Sequence, residues 1–167
     1  MLTKNFYSYM RAAFQKTSGT FTQPDGATAA IALGTSDTPP FKIMNVWAQQ
    51  SKAIGVSFGT GTTPATVSDY ALESILGSTQ ISAAAPSAVS FSRFDTYDEY
   101  SVTFGVTNKT AEAITISEVG LTSLPLKGTP NYYALVDRTV LDTPITIPAG
   151  QSKQITYTIR FNYGDAV

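Results

Sequence analysis

Two stretches of strict alternation constrain this chain more than anything else in it. In KQITYTIRFNY (153–163), Ile155, Tyr157, Ile159, Phe161 and Tyr163 fall on one side of an extended backbone, with Thr156, Thr158, Arg160 and Asn162 on the other. From residue 100, Tyr100, Val102, Phe104 and Val106 alternate in the same way with Ser101, Thr103, Gly105 and Thr107. A period of two belongs to a strand with one buried face, so Val102, Phe104, Ile155, Ile159 and Phe161 are expected in a core. Further strand-like runs are FKIMNVWA (41–48), AIGVSF (53–58), AITISEVGL (113–121), YYALVDRTVL (132–141) and PITI (144–147), with one short strand near 29–33. Turns punctuate them at Pro24, Asp25-Gly26, Gly34, Pro39-Pro40, Asn108-Lys109-Thr110 and Pro148-Ala149-Gly150. Many short strands at regular spacing make an all-β chain, and the expected fold is an antiparallel β-sandwich, jelly-roll-like.

Two finer expectations concern register. The turn at 108–110 makes 113–121 the hairpin partner of 100–107. Within that return strand Ile114 and Ile116 share one parity, while Val119 and Leu121 take the other. A bulge or a change of sheet near Glu118 would reconcile them.

Two segments read as helical. Leu2, Phe6, Met10 and Phe14 recur every four residues across 2–16, and Ser18-Gly19 ends the run. Such a helix either docks on its own domain or reaches a neighbouring subunit. The second option makes 1–18 an arm, 19–167 the β-sandwich domain, and Leu2, Phe6, Met10 and Phe14 an interface. The other segment lies in GVSFGTGTTPATVSDYALES (55–74). Its glycines fit neither the dinucleotide fingerprint nor the P-loop, and no Lys or Arg lies between Lys52 and Arg93 to meet a phosphate. Thr66 and Asp69 have capping-box spacing, so the glycines read as the end of a strand and 67–75 as a helical turn over one end of the sandwich.

At 167 residues the chain is one domain of ordinary size. It has no cysteine and no histidine, which removes disulfides, thiolate nucleophiles, Ser-His-Asp and Cys-His catalysis and His-based zinc chemistry. The net charge of -1 supplies no field for nucleic acid or anionic lipid. No apolar run is long enough to span a membrane, and the N-terminus lacks a signal-peptide core, so synthesis in the cytoplasm is expected. No cofactor is implied. Asp95, Asp98 and Glu99 in FDTYDEY (94–100) would give calcium three carboxylates, against the plainer reading of a solvated loop. Carboxylate pairs for glycoside hydrolysis would come from Asp95, Asp98, Glu118 or Asp137. Glu118 and the Asp137-Arg138 pair equally suit a cross-strand ion pair with a structural role. Trp47, Tyr132 and Tyr133 would stack on sugars if exposed, or fill the core.

Two stretches together resemble a family. VSFGTGTTPATVSDYALES (56–74) is similar to a G-T-G-T-T-x-P-x-x-x-D-x-A-L-E segment of tailed-bacteriophage virion proteins. ITISEVGLTS (114–123) and LVDRTVLDTPITIPAGQSKQITYTIRF (135–161) resemble the ending of the same proteins, through Ile116, Glu118, Gly120 and Leu121, then Leu135, Arg138, Leu141, Pro144 and Ile145, then Thr156, Thr158, Ile159 and Phe161. The likeness covers about half the chain, in order, and the family comprises head-fibre, capsid-decoration and tail-fibre-associated proteins. It implies a virion component without enzymatic activity, made in the host cytoplasm. The implied partners are further copies of itself, as trimer or dimer, and other virion proteins such as capsid or tail. The alternative is a carbohydrate-binding module of a host-recognition fibre.

Overall fold

A computed structural model describes residues 1–15, 19–31, 55–84, 88–123 and 133–162. One helix, α1 (Lys4–Gln15), precedes nine strands: β1 (Gly19–Thr22), β2 (Thr28–Ile31), β3 (Gly55–Gly59), β4 (Ile81–Ala83), β5 (Ser90–Arg93), β6 (Tyr97–Asn108), β7 (Ile114–Ser123), β8 (Ala134–Ile147) and β9 (Ser152–Asn162). All pairings are antiparallel. β1 and β2 form a small hairpin, whose turn uses Gly26 at φ 84° and a hydrogen bond from the Ala27 N–H to Asp25 Oδ1. The strand-like run 41–48 lies outside the described residues.

The two main sheets are β3-β7-β8 and the set in which β6 carries β9 on one flank and β4 and β5 on the other. Their apolar faces share one core. Val56, Phe58, Ile116 and Leu121 come from the first sheet, and Val102, Phe104, Val106 and Ile155 from the second. Phe58 meets Phe104 edge to face at 5.8 Å. Of the expected core residues, Val102, Phe104, Ile155 and Ile159 are buried, whereas Phe161 is half-buried at the margin.

The expected hairpin between 100–107 and 113–121 does not form: β6 pairs with β9, and β7 with β3 and β8. Burial explains the difference. A hairpin would set the apolar faces of β6 and β7 side by side in one sheet, still needing a cover. Crossing between sheets lets each face cover the other. The chain crosses at 109–113 and returns at 148–151, where Gly150 takes φ 67°. Asn108, fully buried, ties the two crossings together. Its backbone N–H donates to Gln151 O, and its Nδ2 donates to Glu112 O at 2.7 Å and Ile147 O at 2.9 Å. Its Oδ1 accepts from the Thr110 N–H. Asn108→Ala is expected to cost about 1–3 kcal/mol, because it removes the side-chain donor from the buried bond to Ile147 O and unties the Glu112 corner. An unchanged denaturation midpoint would refute that.

The parity conflict in β7 is resolved by an irregularity of the expected kind. The register with β8 shifts between Ile116 and Glu118, so Ile116 and Val119 both reach the core.

Helix α1 docks on its own domain. Phe6 is in the core, and Leu2 and Met10 pack against it; the Phe14 side chain lies outside what is described. Polar contacts fix the seat. Thr3 Oγ1 donates to Leu135 O at 2.6 Å, and buried Asn5 donates from Nδ2 to Thr22 O and accepts from the Thr22 N–H. The apolar stripe offered as a subunit interface is therefore buried at Phe6 and partly buried at Leu2 and Met10 against the chain's own domain.

Candidate functional site

The segment 60–76 forms no helix. It is an irregular loop laid over the β3-β7-β8 sheet, held by charge where periodicity suggested a helical turn near 67–75. Half of the Thr66–Asp69 box forms: Asp69 accepts from the Thr66 N–H and hydroxyl at 2.9 and 2.8 Å, while the Asp69 N–H goes to the Thr66 carbonyl and not to its side chain. The chain does not wind on into a helix, and at Glu73 and Ser74 its backbone N–H groups turn inward to a carboxylate on β7. That carboxylate is Glu118, which is fully buried. Its Oε1 accepts from the N–H groups of Gly61 (3.1 Å) and Ser74 (2.7 Å), and its Oε2 from the Glu73 N–H (3.1 Å).

Arg138 on β8 completes the arrangement. Its Nε donates to Glu118 Oε2 at 2.8 Å, its Nη1 to Asp69 Oδ2 at 2.7 Å, and its Nη2 to Thr63 O at 3.1 Å, with Glu73 Oε2 at 3.5 Å. Glu73 in turn accepts from the Thr63 N–H and hydroxyl. Burial opposes the charge on Asp69, yet hydrogen bonds from Thr66 and Arg138 outweigh it and hold the carboxyl below its ordinary range. Burial likewise opposes the charge on Arg138, and the Asp69 and Glu118 carboxylates overcome it, raising its pKa.

Gly59 and Gly61 in the 55–74 segment now have a physical cause. A Cβ on Gly59 would stand 2.5 Å from Glu118 Oε1 and 2.6 Å from Ser74 O, and one on Gly61 would stand 2.6 Å from the same carboxylate oxygen. Both positions let backbone approach the buried acid closely. Gly59→Ala is expected to destabilise by about 1–3 kcal/mol, since the obstructing Ser74 carbonyl is backbone and cannot swing aside. Retention of the wild-type melting temperature would sink this account.

A second buried acid lies one residue from Arg138. Asp137 Oδ1 is 2.9 Å from the Met1 α-amino group, and its Oδ2 accepts from the Tyr157 hydroxyl at 2.9 Å. Burial first, then the Asp137 charge and this hydrogen bond, push the Tyr157 phenol well above its usual value. The Met1 amino group also donates to Arg138 O.

These placements bear on each candidate. Glu118 and Arg138 pair as a cross-strand couple, and both are inaccessible. A cavity of about 310 Å³ opens over Arg138, Asp69 and Glu73, but it is walled by groups already bonded to one another. Asp98 and Glu99 stand on β6 and not in a loop; Asp98 is bound by Arg93 at 2.9 Å and Glu99 by Arg160 at 2.7 Å, so two of the three carboxylates considered for calcium face guanidinium groups. Among the described residues no group of three or more acidic side chains is placed to hold a metal ion. Trp47 and Tyr132 lie outside the described residues; Tyr133 is half-buried. Sequence reasoning missed two exposed phenylalanines, which stand out beside exposed Tyr7 and Tyr70 by clustering with arginines. Phe91 and Phe94 are 50% and 44% accessible, Phe94 stacks on Tyr97 at 4.5 Å, and Arg160 lies over Tyr97. No alternation marks β5, a four-residue strand with every side chain exposed, so nothing drew attention to them.

No helix among the described residues is long and apolar enough to cross a membrane. No protein family, curated protein or solved structure matches the chain.

Proposed function

We propose that this chain is a non-enzymatic structural component of a tailed-phage virion, an oligomeric decoration or fibre-associated protein built as a jelly-roll-like sandwich. One observation carries the reading. Six of the residues through which the sequence resembles that family, Gly59, Gly61, Asp69, Glu73, Glu118 and Arg138, are separated by up to 79 positions, yet they converge on one lock centred on buried Glu118 and Arg138. A motif preserved for catalysis would present an acid or nucleophile to a cleft. These side chains spend their hydrogen-bonding capacity on the fold, as expected where rigidity is the function. The low charge density, 14% of residues, supports the same reading, because weakly charged faces are buried between subunits at modest desolvation cost.

Electron microscopy of phage particles with an antibody against this chain tests the proposal. Regular labelling of head or tail is expected, and absence of the chain from purified particles would overturn it. The exposed rings of Phe91 and Phe94 beside Arg93 and Arg160 favour a second reading, glycan binding by a host-recognition fibre. Glycan binding abolished by Phe91→Ala and Phe94→Ala would support that alternative.

A further inference from the structure

The edges of the sheets are not treated alike. The outer edge of β3 is covered by 74–76, where Thr60 N–H donates to Ser74 O and Leu76 N–H to Phe58 O, both at 2.8 Å. The edge of β8 at 136–138 is covered by 1–3, through Thr3 N–H to Val136 O and Arg138 N–H to Met1 O. The second flank of β6 carries β4 and β5, of three and four residues, and strands that short make poor templates. The rest of the β8 edge, 139–147, has no partner strand among the described residues but carries Asp142 and Pro144 as protection; β9 lacks such features. It is 11 residues long, its ladder with β6 runs without a register shift, and β6 is its only partner strand among the described residues. Alternate residues of β9 therefore direct N–H and C=O groups away from the sheet. It has no proline, no bulge, and no charge between Lys153 and Arg160, so the usual protections of an edge are absent from its middle.

A groove of about 260 Å³ runs beside that edge, with Ile155 and Tyr157 on one wall and Val119, Leu141 and Ile145 on the other. We infer that β9 is the strand through which two copies of this chain join, edge to edge and antiparallel, about a twofold axis at Tyr157.

The strand's own sequence selects a second copy as the occupant. Tyr157 is the midpoint of Ser152–Asn162, so a twofold there overlaps the two strands over their full length. Ile155 then faces Ile159 of the partner subunit, and Thr156 faces Thr158 of the partner subunit. Lys153 meets Phe161 of the partner subunit, and Arg160 meets Gln154 of the partner subunit. No like charges oppose, and the core faces of both sheets stay on the same side. A shift of one residue in the pairing, setting 156 opposite 157, puts Lys153 against Arg160 and reverses the faces. The self-association implied by the resemblance thus gains a surface, and the inference holds whether or not the protein belongs to a virion.

Sedimentation equilibrium of the full chain tests it. The wild type is expected to be a dimer that dissociates on dilution. Thr156→Lys combined with Thr158→Lys sets lysines opposite one another on both sides of the axis and should weaken association by about tenfold or more. Both threonines are exposed, so thermal unfolding and near-ultraviolet circular dichroism of the monomer should be retained. Mixing this variant with Thr156→Glu/Thr158→Glu should restore association as a heterodimer. Should the lysine variant fail to fold, hydrogen exchange of the wild type decides, with concentration-dependent protection of amides in 153–161 expected. A wild type that is monomeric or trimeric, a lysine variant that associates as tightly as wild type, or protection independent of concentration would each overturn the inference.

Discussion

Arg138→Met is expected to destabilise the fold by about 3–5 kcal/mol, because it leaves a buried carboxylate without its counter-charge. Glu118 is fully enclosed, and Arg138 is the only cation bonded to it among the described residues. The three backbone N–H groups of Gly61, Glu73 and Ser74 would remain, and they soften the loss without supplying a charge. Asp69 and Glu73 lose the same partner, so three carboxylates would then converge with none. Arg138→Lys should recover little, since one ammonium cannot reach Glu118, Asp69 and the Thr63 carbonyl at once. The informative control is Glu118→Gln together with Arg138→Met, which removes both charges and keeps the shape. It should be markedly more stable than Arg138→Met alone, the non-additivity marking coupled sites. Denaturant titrations of the three variants check this. Equal midpoints for Arg138→Met and wild type would refute the lock.

Much of the β-architecture was legible, because strands with one wet and one dry face write a period of two into the chain. Val102, Phe104, Ile155 and Ile159 follow from that alone, and so does the irregularity near Glu118, where apolar parity reverses. Pairing was less legible. The run from β6 to β7 has the local chemistry of a hairpin, and only the need of two apolar faces for one another sends the chain across to the other sheet. The lock was half visible. Glu118 and Arg138 stand on adjacent strands and were readable as a couple. Their grip on 60–76 was not, since it works through backbone N–H groups that carry no sequence signal. The capping signal at Thr66 is met only in part, and the chain beyond it runs to Glu73 and Ser74, whose N–H groups go to Glu118 and not to a helix.

Phe104→Ala should cost about 3–5 kcal/mol, the usual range for removing a fully buried aromatic ring. Phe104 is wholly inaccessible, lies on β6 opposite Ile155 of β9, and meets Phe58 of the facing sheet edge to face at 83°. The cavity would open where the two sheets touch. Neither layer can close it by a local shift: β6 is held by β9 along 11 paired positions, and β3 by β7 and the 74–76 cover. The cost should therefore fall toward the upper end, because it grows with the cavity volume left unfilled. Phe104→Leu keeps most of the volume and should cost less than about 1.5 kcal/mol. A double-mutant cycle with Phe58→Leu separates ring-on-ring contact from simple burial, with about 0.5–1.5 kcal/mol of coupling expected for a T-shaped pair. If Phe104→Ala unfolds at the wild-type denaturant midpoint, the two sheets do not share the core described. If it is destabilised but uncoupled from Phe58, they share a core without that contact. Destabilisation with coupling means that β3-β7-β8 and β6-β9 unfold as one unit, as their two tight crossings at 109–113 and 148–151 require.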